Sequence, residues 1–151
     1  MEPIRQEGYK SCGVAACGFI LNKSHSDLVD ELTLMPHPIH IHQKIEYSPL
    51  IHGVYPEQIV ELLKKYNIEY TEFPYNNQNI KINGTIILFH DPKIYTSGHY
   101  LVYYNNKWAN SWINIVECGL DVEKSKAGYN KDLNDIIDIN ILWVIQPKNT
   151  W

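Results

Sequence analysis

The chain has 151 residues, of which 44% are hydrophobic and 20% charged, and its formal net charge is -4. These values are typical of ordinary globular proteins and exclude a fibrous or disordered chain. A chain of this length is enough for one hydrophobic core, so we predict a single domain over residues 1–151. The sequence shows no excess or cluster of Lys and Arg, which argues against nucleic acid as a partner.

The cysteines and the hydropathy pattern bear on the cellular setting. The three cysteines, Cys12, Cys17 and Cys118, are too few and odd in number for a disulfide framework, so at least one thiol is expected to be free. No charged segment followed by an apolar run opens the sequence, and no apolar run approaches the roughly 18 residues needed to cross a bilayer. We therefore expect no membrane insertion, and a protein that is cytoplasmic or delivered by a route that needs no signal peptide.

The first half of the chain is predicted to be helical. Residues 13–21 are almost all apolar or small, which is typical of a helix buried on every side, with Cys12 at its N-terminus. A second helix is predicted after Ser26 as N-cap and cannot continue past Pro36. It would turn three side chains inward: Leu28, Leu32 and Met35. A third helix is predicted from Pro56, with apolar and aromatic side chains at helical spacing: Ile59, Leu62, Leu63 and Tyr66.

The second half of the chain is predicted to form β-strands. Runs rich in β-branched and aromatic residues cover 68–73, 85–90, 100–104, 107–116 and 139–145. Asn105 and Asn106 tolerate positive φ and separate two of these runs, which predicts a tight hairpin. In that hairpin Leu101 faces Asn110 and His99 faces Trp112. The period of two then places His99, Asn110 and Trp112 on one face, with Asn110 diagonal to His99. The fold class predicted from these patterns is α+β.

This neighbourhood has the composition of a site for covalent attack on a carbonyl carbon. A helix N-terminus and a nearby imidazolium both favour the thiolate form, so we expect a lowered pKa at Cys12. His99 is then the candidate base, and the Asn110 amide would fix its orientation and tautomer. The backbone N–H of Cys12 and the side-chain amide of Gln6 are two candidate donors to a tetrahedral oxyanion.

Three short motifs carry a resemblance to a known family. They are Gln6 with Cys12-Gly13, then Gly98-His99, then Asn110-Ser111-Trp112. In this order they resemble the papain-like cysteine peptidase superfamily. The Cys-Gly step followed by small residues most resembles the leader-peptidase domains that trim double-glycine bacteriocin precursors. The resemblance covers most of residues 4–116.

The resemblance implies a fold, an activity and a set of site residues. The fold is papain-like, with a buried central helix in an N-terminal helical half packed on a C-terminal antiparallel sheet. The activity is thiol-dependent hydrolysis of an amide bond in a peptide or protein, with no metal or organic cofactor. Its implied catalytic residues are Cys12 as nucleophile, His99 as base, Asn110 as orienting residue and Gln6 in the oxyanion hole.

The resemblance also bears on the substrate cleft, and it has one departure at position 13. We expect Gly53, Gly98 and Trp112 to border the substrate, and the segment 35–53 to face it. Papain-type enzymes carry an aromatic residue directly after the nucleophile, whereas this chain has Gly13.

Other functions use the same residues. A glutamine side chain as acyl donor would make the protein a deamidase, and an amine in place of water would make it an acyltransferase, as in several effectors and toxins of the superfamily. A catalytically silent binding module with the same fold is a third possibility. Separately, His40 and His42 alternate in a strand-like run that follows His37, which allows a shared metal ion, although no Cys, Asp or Glu stands close enough in sequence to complete a ligand set.

Overall fold

The computed structural model describes residues 2–8, 10–35, 49, 53–91, 95, 98–115, 122–135 and 140–149. Over these residues the protein is α+β, with three α-helices and one antiparallel sheet. The helices are α1 (Cys12–Leu21), α2 (His25–Thr33) and α3 (Pro56–Lys65). The strands are β1 (Tyr70–Pro74), β2 (Ile86–His90), β3 (His99–Tyr104), β4 (Lys107–Asn110), β5 (Gly128–Asn130) and β6 (Asn140–Pro147). Two short 3₁₀ turns cover Val122–Lys124 and Leu133–Asp135.

The predicted hairpin between β3 and β4 is confirmed. Its two turn residues, Asn105 and Asn106, have φ angles of 51° and 63°, a left-handed conformation that asparagine adopts more readily than most residues. The register pairs Leu101 with Asn110, as the two-residue turn requires. Within the described part of the chain this hairpin lies in a six-stranded sheet of order β1-β6-β2-β3-β4-β5, in which every neighbouring pair is antiparallel.

Both faces of the sheet are apolar where β3 crosses it. Tyr100 and Val102 point toward α1, in a core that includes the buried side chains of all three helices. Leu101 and Tyr103 point to the opposite face and pack in a second cluster with Trp108. Alternation of side chains along a strand therefore buries β3 on both faces and fixes its position.

Helix α1 is the central element of the first core, as predicted. Every residue from Cys12 to Ile20 is buried, and two glycines allow the helix to approach its neighbours closely. A Cβ atom on Gly13 would lie 2.9 Å from Cβ of Val54, and one on Gly18 would lie 2.8 Å from Cδ1 of Ile4. A larger side chain, such as an aromatic one, therefore has no room at position 13.

The other two helices follow the predicted apolar pattern with one correction. The N-cap of α2 is Ser24 and not Ser26, because the Ser24 hydroxyl accepts a hydrogen bond of 3.2 Å from the backbone N–H of Asp27. Helix α3 begins at Pro56, as predicted. The inward-facing side chains within the two helices are buried, namely Leu28, Leu32, Ile59, Leu62 and Leu63. Met35 is buried just after α2 ends, and Tyr66, the C-cap of α3, is only partly buried.

The strand predicted over 107–116 was too long. Strand β4 ends at Asn110, and residues 111–114 form turns. The cause is local, because the Asn110 side chain accepts a hydrogen bond of 3.0 Å from the backbone N–H of Trp112, which redirects the chain. Strand β5 was not predicted and pairs with β4. Across the described ranges, none of the helices is both long enough and apolar enough to cross a bilayer. The single domain over 1–151 stays a prediction.

Candidate active site

Cys12 is the first residue of α1, and its side chain is nearly buried, with 7% of its surface exposed. Burial raises the pKa of the thiol to about 11, although backbone N–H groups of Tyr100, Gly13 and Cys12 itself act in the opposite direction. The expectation of a lowered pKa at Cys12 is therefore wrong, because desolvation of the thiolate outweighs the donors around it. The sulfur is held at the point where α1 begins and β3 starts.

A cavity of about 160 Å³ reaches Cys12 from the surface. The two glycines predicted to border the substrate, Gly53 and Gly98, line it, and their φ angles are +82° and +87°. The remaining described lining residues are Lys10, Val54, Tyr55, Leu88 and Tyr100. Trp112, which was also expected to border the substrate, is not among the described residues that line this cavity. It is buried and contributes its backbone to the Asn110 environment.

His99 and Asn110 are in direct contact, as the hairpin register predicted. Nε2 of His99 lies 2.8 Å from Oδ1 of Asn110. The same Oδ1 accepts the backbone N–H of Trp112, and a backbone N–H is always a donor, so the atom facing the ring is an oxygen. Nε2 must therefore carry a proton, and in the neutral ring Nδ1 is the nitrogen with a free lone pair.

The nitrogen of the Asn110 amide is fixed by two further contacts. Nδ2 donates to Oδ1 of Asn130 at 2.8 Å and to the hydroxyl of Tyr95 at 3.3 Å. The Tyr95 hydroxyl donates in turn to the carbonyl of Trp112 at 3.0 Å. Burial raises the pKa of Tyr95 to about 12, so its hydroxyl keeps the proton needed for that bond. Each proton in this cluster has a single acceptor, which leaves Asn110 one orientation.

Aromatic rings enclose the His99 imidazole. Tyr95 stacks on it with ring centroids 4.1 Å apart and an interplanar angle of 15°, and Phe89 meets it edge-on at 5.7 Å. Burial lowers the pKa of His99 to about 4, while the bond to Asn110 acts to raise it. His99 is therefore a neutral base at physiological pH. His99 is the first residue of β3, and its ring packs with Phe89 and Tyr95 of the second cluster. The Cys12 sulfur belongs to the first cluster and contacts the backbone N–H of Tyr100, the next residue of β3. The described contacts therefore bring His99 together with Asn110 but not with Cys12.

Gln6 is buried beside the turn that follows β4. Its backbone N–H donates to the carbonyl of Ser111 at 3.2 Å, and its Oε1 accepts the Ser111 hydroxyl at 2.8 Å. Its Nε2 donates to the carbonyl of Gly8 at 2.9 Å. The structure thus holds the Gln6 amide firmly in the segment that leads into α1, and its role as an oxyanion donor stays a prediction.

Sequence reasoning missed Tyr95 and Asn130, and it named Ser111 only as part of the Asn-Ser-Trp motif, without a role. Tyr95 lies in the connection between two strands, where an aromatic residue gives no periodic signal. Asn130 belongs to a three-residue strand that is too short to show a pattern. The Ser in the Asn-Ser-Trp motif was the one available signal, because it directly follows the candidate orienting residue.

The other candidate ligands and thiols take no part in the described site. Cys17 is fully buried in α1. His37, His40 and His42 and the thiol of Cys118 lie outside the described residues, as does most of the segment 35–53. Among the described residues, no cluster of three or more His, Cys, Asp or Glu side chains could hold a metal ion.

No protein-family model matches the sequence, and no curated protein matches it significantly.

Proposed function

We propose that this protein is a thiol-dependent hydrolase of papain-like fold that cleaves an amide bond of a peptide or protein. The observation that carries the proposal is the fixed tautomer of His99. The Asn110 oxygen keeps a proton on Nε2, which leaves Nδ1 as a base, at the end of β3 where the Cys12 sulfur contacts the backbone. The cavity that reaches Cys12 provides a route for a substrate.

In the proposed reaction the Cys12 thiol gives its proton to Nδ1 of His99 as the sulfur attacks the carbonyl carbon. The C–N bond then breaks, and the imidazolium returns the proton to the leaving amine. The product of this half-reaction is a thioester on Cys12. A water molecule, deprotonated by His99, adds to that thioester, and cleavage of the C–S bond releases the acid and restores the thiol.

The raised pKa of Cys12 and the lowered pKa of His99 favour a neutral thiol and a neutral imidazole in the resting protein. The proposed enzyme therefore does not depend on a preformed ion pair. His99 acts as a general base during attack, and backbone N–H groups around the sulfur stabilise the negative charge as it develops.

The test is the pH dependence of Cys12 alkylation by iodoacetamide, followed by mass spectrometry in the native chain and in His99→Ala. With His99 as base, the native rate stays nearly constant from about pH 5 to pH 9, because the base is already neutral there. In His99→Ala the rate rises with pH toward the thiol pKa of about 11. Cys17, whose pKa burial raises to about 12, is the internal control, because it has no exposed surface and is labelled only when the core opens. The same rise with pH in both proteins would refute the proposal.

Product analysis then separates the hydrolase from its closest rivals. A new protein N-terminus indicates peptide hydrolysis, release of ammonia from glutamine indicates a deamidase, and an amide formed with an added amine indicates an acyltransferase. Cys12→Ala is the matched control, because it retains the cavity and removes the nucleophile.

One observation favours a second candidate function. Only 7% of the Cys12 surface is exposed, and burial raises its pKa, as in cysteines that serve as small core residues. A catalytically silent binding module is therefore the alternative, and it predicts that Cys12 alkylation is slow and indifferent to His99.

A further inference from the structure

A second histidine lies behind the candidate site and contacts the segment that holds Gln6. His25, the first residue of α2, is 5% exposed, and its Nε2 lies 3.0 Å from the hydroxyl of Ser11. Its Nδ1 lies 2.8 Å from a carboxylate oxygen of Glu7, a contact that is close but not aligned as a hydrogen bond. The trio resembles a Ser-His-Glu triad in its order of contacts. Ser11 is fully buried, however, so it is not a nucleophile.

The Ser11 hydroxyl has one proton and two acceptors within reach. The backbone N–H of Gly8 donates to this oxygen at 2.9 Å, and the carbonyl of Gly8 lies 3.0 Å from it. The second acceptor is Nε2 of His25 when that nitrogen is unprotonated. The hydroxyl proton therefore goes either to Gly8 or to His25.

The protonation state of His25 decides between these two arrangements. An unprotonated Nδ1 would place its lone pair 2.8 Å from a negatively charged oxygen of Glu7, which is repulsive. The neutral ring therefore carries its proton on Nδ1 and accepts the Ser11 hydroxyl at Nε2. The imidazolium instead donates from Nε2 to Ser11, and the hydroxyl proton must turn to the Gly8 carbonyl.

The Gly8 carbonyl is also the acceptor for the Gln6 amide. It receives Nε2 of Gln6 at 2.9 Å and the backbone N–H of Ser11 at 3.2 Å. A carbonyl oxygen has two lone pairs, so a third donor weakens the bonds already present. Protonation of His25 thus adds a competitor at the atom that holds Gln6.

We propose that His25 is a positioning residue for the candidate site, which acts through Ser11 and Gly8 to set how firmly the Gln6 amide is held. With neutral His25 the Ser11 hydroxyl points to the ring, and the amide is held. With charged His25 the hydroxyl turns to Gly8, and the amide is loosened. Gln6 as an oxyanion donor rests on the proposed function, whereas the coupling of His25 to Gln6 does not.

The charged groups that face His25 in the described part of the chain come from the N-terminal segment. Burial lowers the pKa of His25, the carboxylate of Glu7 raises it, and the guanidinium of Arg5 lowers it. Helix α1, which packs against α2, carries no Asp, Glu, Lys or Arg. Asp27, on α2 itself, is exposed. The neutral form is therefore the resting form at neutral pH, and the charged form appears on acidification.

The test is an NMR titration of the full chain from about pH 4 to pH 8, a range that extends well below the ordinary histidine pKa because burial lowers the pKa of His25. It follows the His25 ring and the Gln6 side-chain amide together. The proposal predicts that both resonances titrate with one midpoint. In Ser11→Ala the ring still titrates and the Gln6 amide no longer follows. In His25→Gln the midpoint disappears from Gln6.

Glu7→Gln provides a variant at a half-exposed position with little risk to folding. Loss of the carboxylate removes the group that raises the pKa of His25, so the His25 midpoint falls, and the Gln6 midpoint must fall with it. A Gln6 amide that does not titrate, or that still titrates in Ser11→Ala, would overturn the inference. If His25 and Gln6 titrate together but Cys12 alkylation does not depend on His99, the proposed function is refuted and the coupling of His25 to Gln6 stands.

Discussion

Two hydrogen-bond networks meet at the candidate site, and they differ in how their protons are shared. Around Asn110 each proton has one acceptor, so the tautomer of His99 is determined. Around Ser11 one proton has two acceptors, so the arrangement depends on the charge of His25. The comparison teaches that burial alone does not make a polar cluster rigid. The number of acceptors available to each proton decides whether the cluster has one hydrogen-bond arrangement or two.

The largest expected effect comes from His99, in the network around Asn110 where every proton has one acceptor. The difference between the His99 pKa of about 4 in the folded protein and 6.5 for an ordinary histidine corresponds to about 3 kcal/mol of stability. Because the folded pKa is the lower one, this stability is fully present above about pH 6.5 and is lost as pH falls to about 4.

Urea unfolding at a series of pH values measures this effect in the wild-type chain and in His99→Gln. The variant cannot titrate at this position, so its stability falls less over the same pH range. His25 contributes a slope of the same sign in both proteins and cancels in the difference. Equal slopes would show that His99 is not buried as a neutral ring.

The next effect removes the atom that determines the tautomer. Asn110→Ala leaves the Nε2 proton of His99 and the N–H of Trp112 without their acceptor, and we expect a loss of about 2 kcal/mol in the free energy of unfolding. Asn110→Asp is the matched control, because it keeps the oxygen acceptor. Its carboxylate raises the pKa of His99, which NMR of the ring detects. A normal stability in Asn110→Ala would contradict the network as described.

The smallest expected effect comes from the Ser111 hydroxyl, which bonds to Gln6, the residue between the two networks. Ser111→Ala removes the bond of 2.8 Å to the Gln6 side chain, and we expect a loss of about 1 kcal/mol. Ser125→Ala is the matched control, since its hydroxyl donates to the Gln6 backbone carbonyl at 2.9 Å. Both variants lose similar stability in urea unfolding, but only Ser111→Ala shifts the Gln6 side-chain amide resonance. If the Gln6 amide resonance shifts equally in both variants, then Ser111 and Ser125 do not act separately on the Gln6 side chain and backbone.

The features of the fold that depend on a local sequence pattern were predicted correctly. The burial of α1, the start of α3 at Pro56 and the hairpin turn at Asn105 all follow from composition and periodicity over a few residues. The contact of His99 with Asn110 follows in turn, because a two-residue loop fixes the register and the register fixes the face.

What failed depends on contacts between distant parts of the chain. The expected pKa of Cys12 counted the helix terminus and the imidazole, and it omitted the desolvation that only a folded core imposes. Tyr95 stacks on His99 from a connection with no pattern of its own. The proton shared by Ser11 and His25 requires two segments 14 positions apart to meet.

The burial of α1 from Cys12 to Ile20 has a use beyond the site. Cys12 lies beside a cavity, whereas Cys17, farther along the same helix, has no exposed surface. A reagent reaches Cys17 only when the core opens, so its labelling rate under native conditions reports the free energy of that opening. The labelling rate of Cys12 therefore reports reactivity at the cavity, and the labelling rate of Cys17 reports cooperative unfolding. A single labelling experiment distinguishes a variant that has lost reactivity from one that has lost its fold.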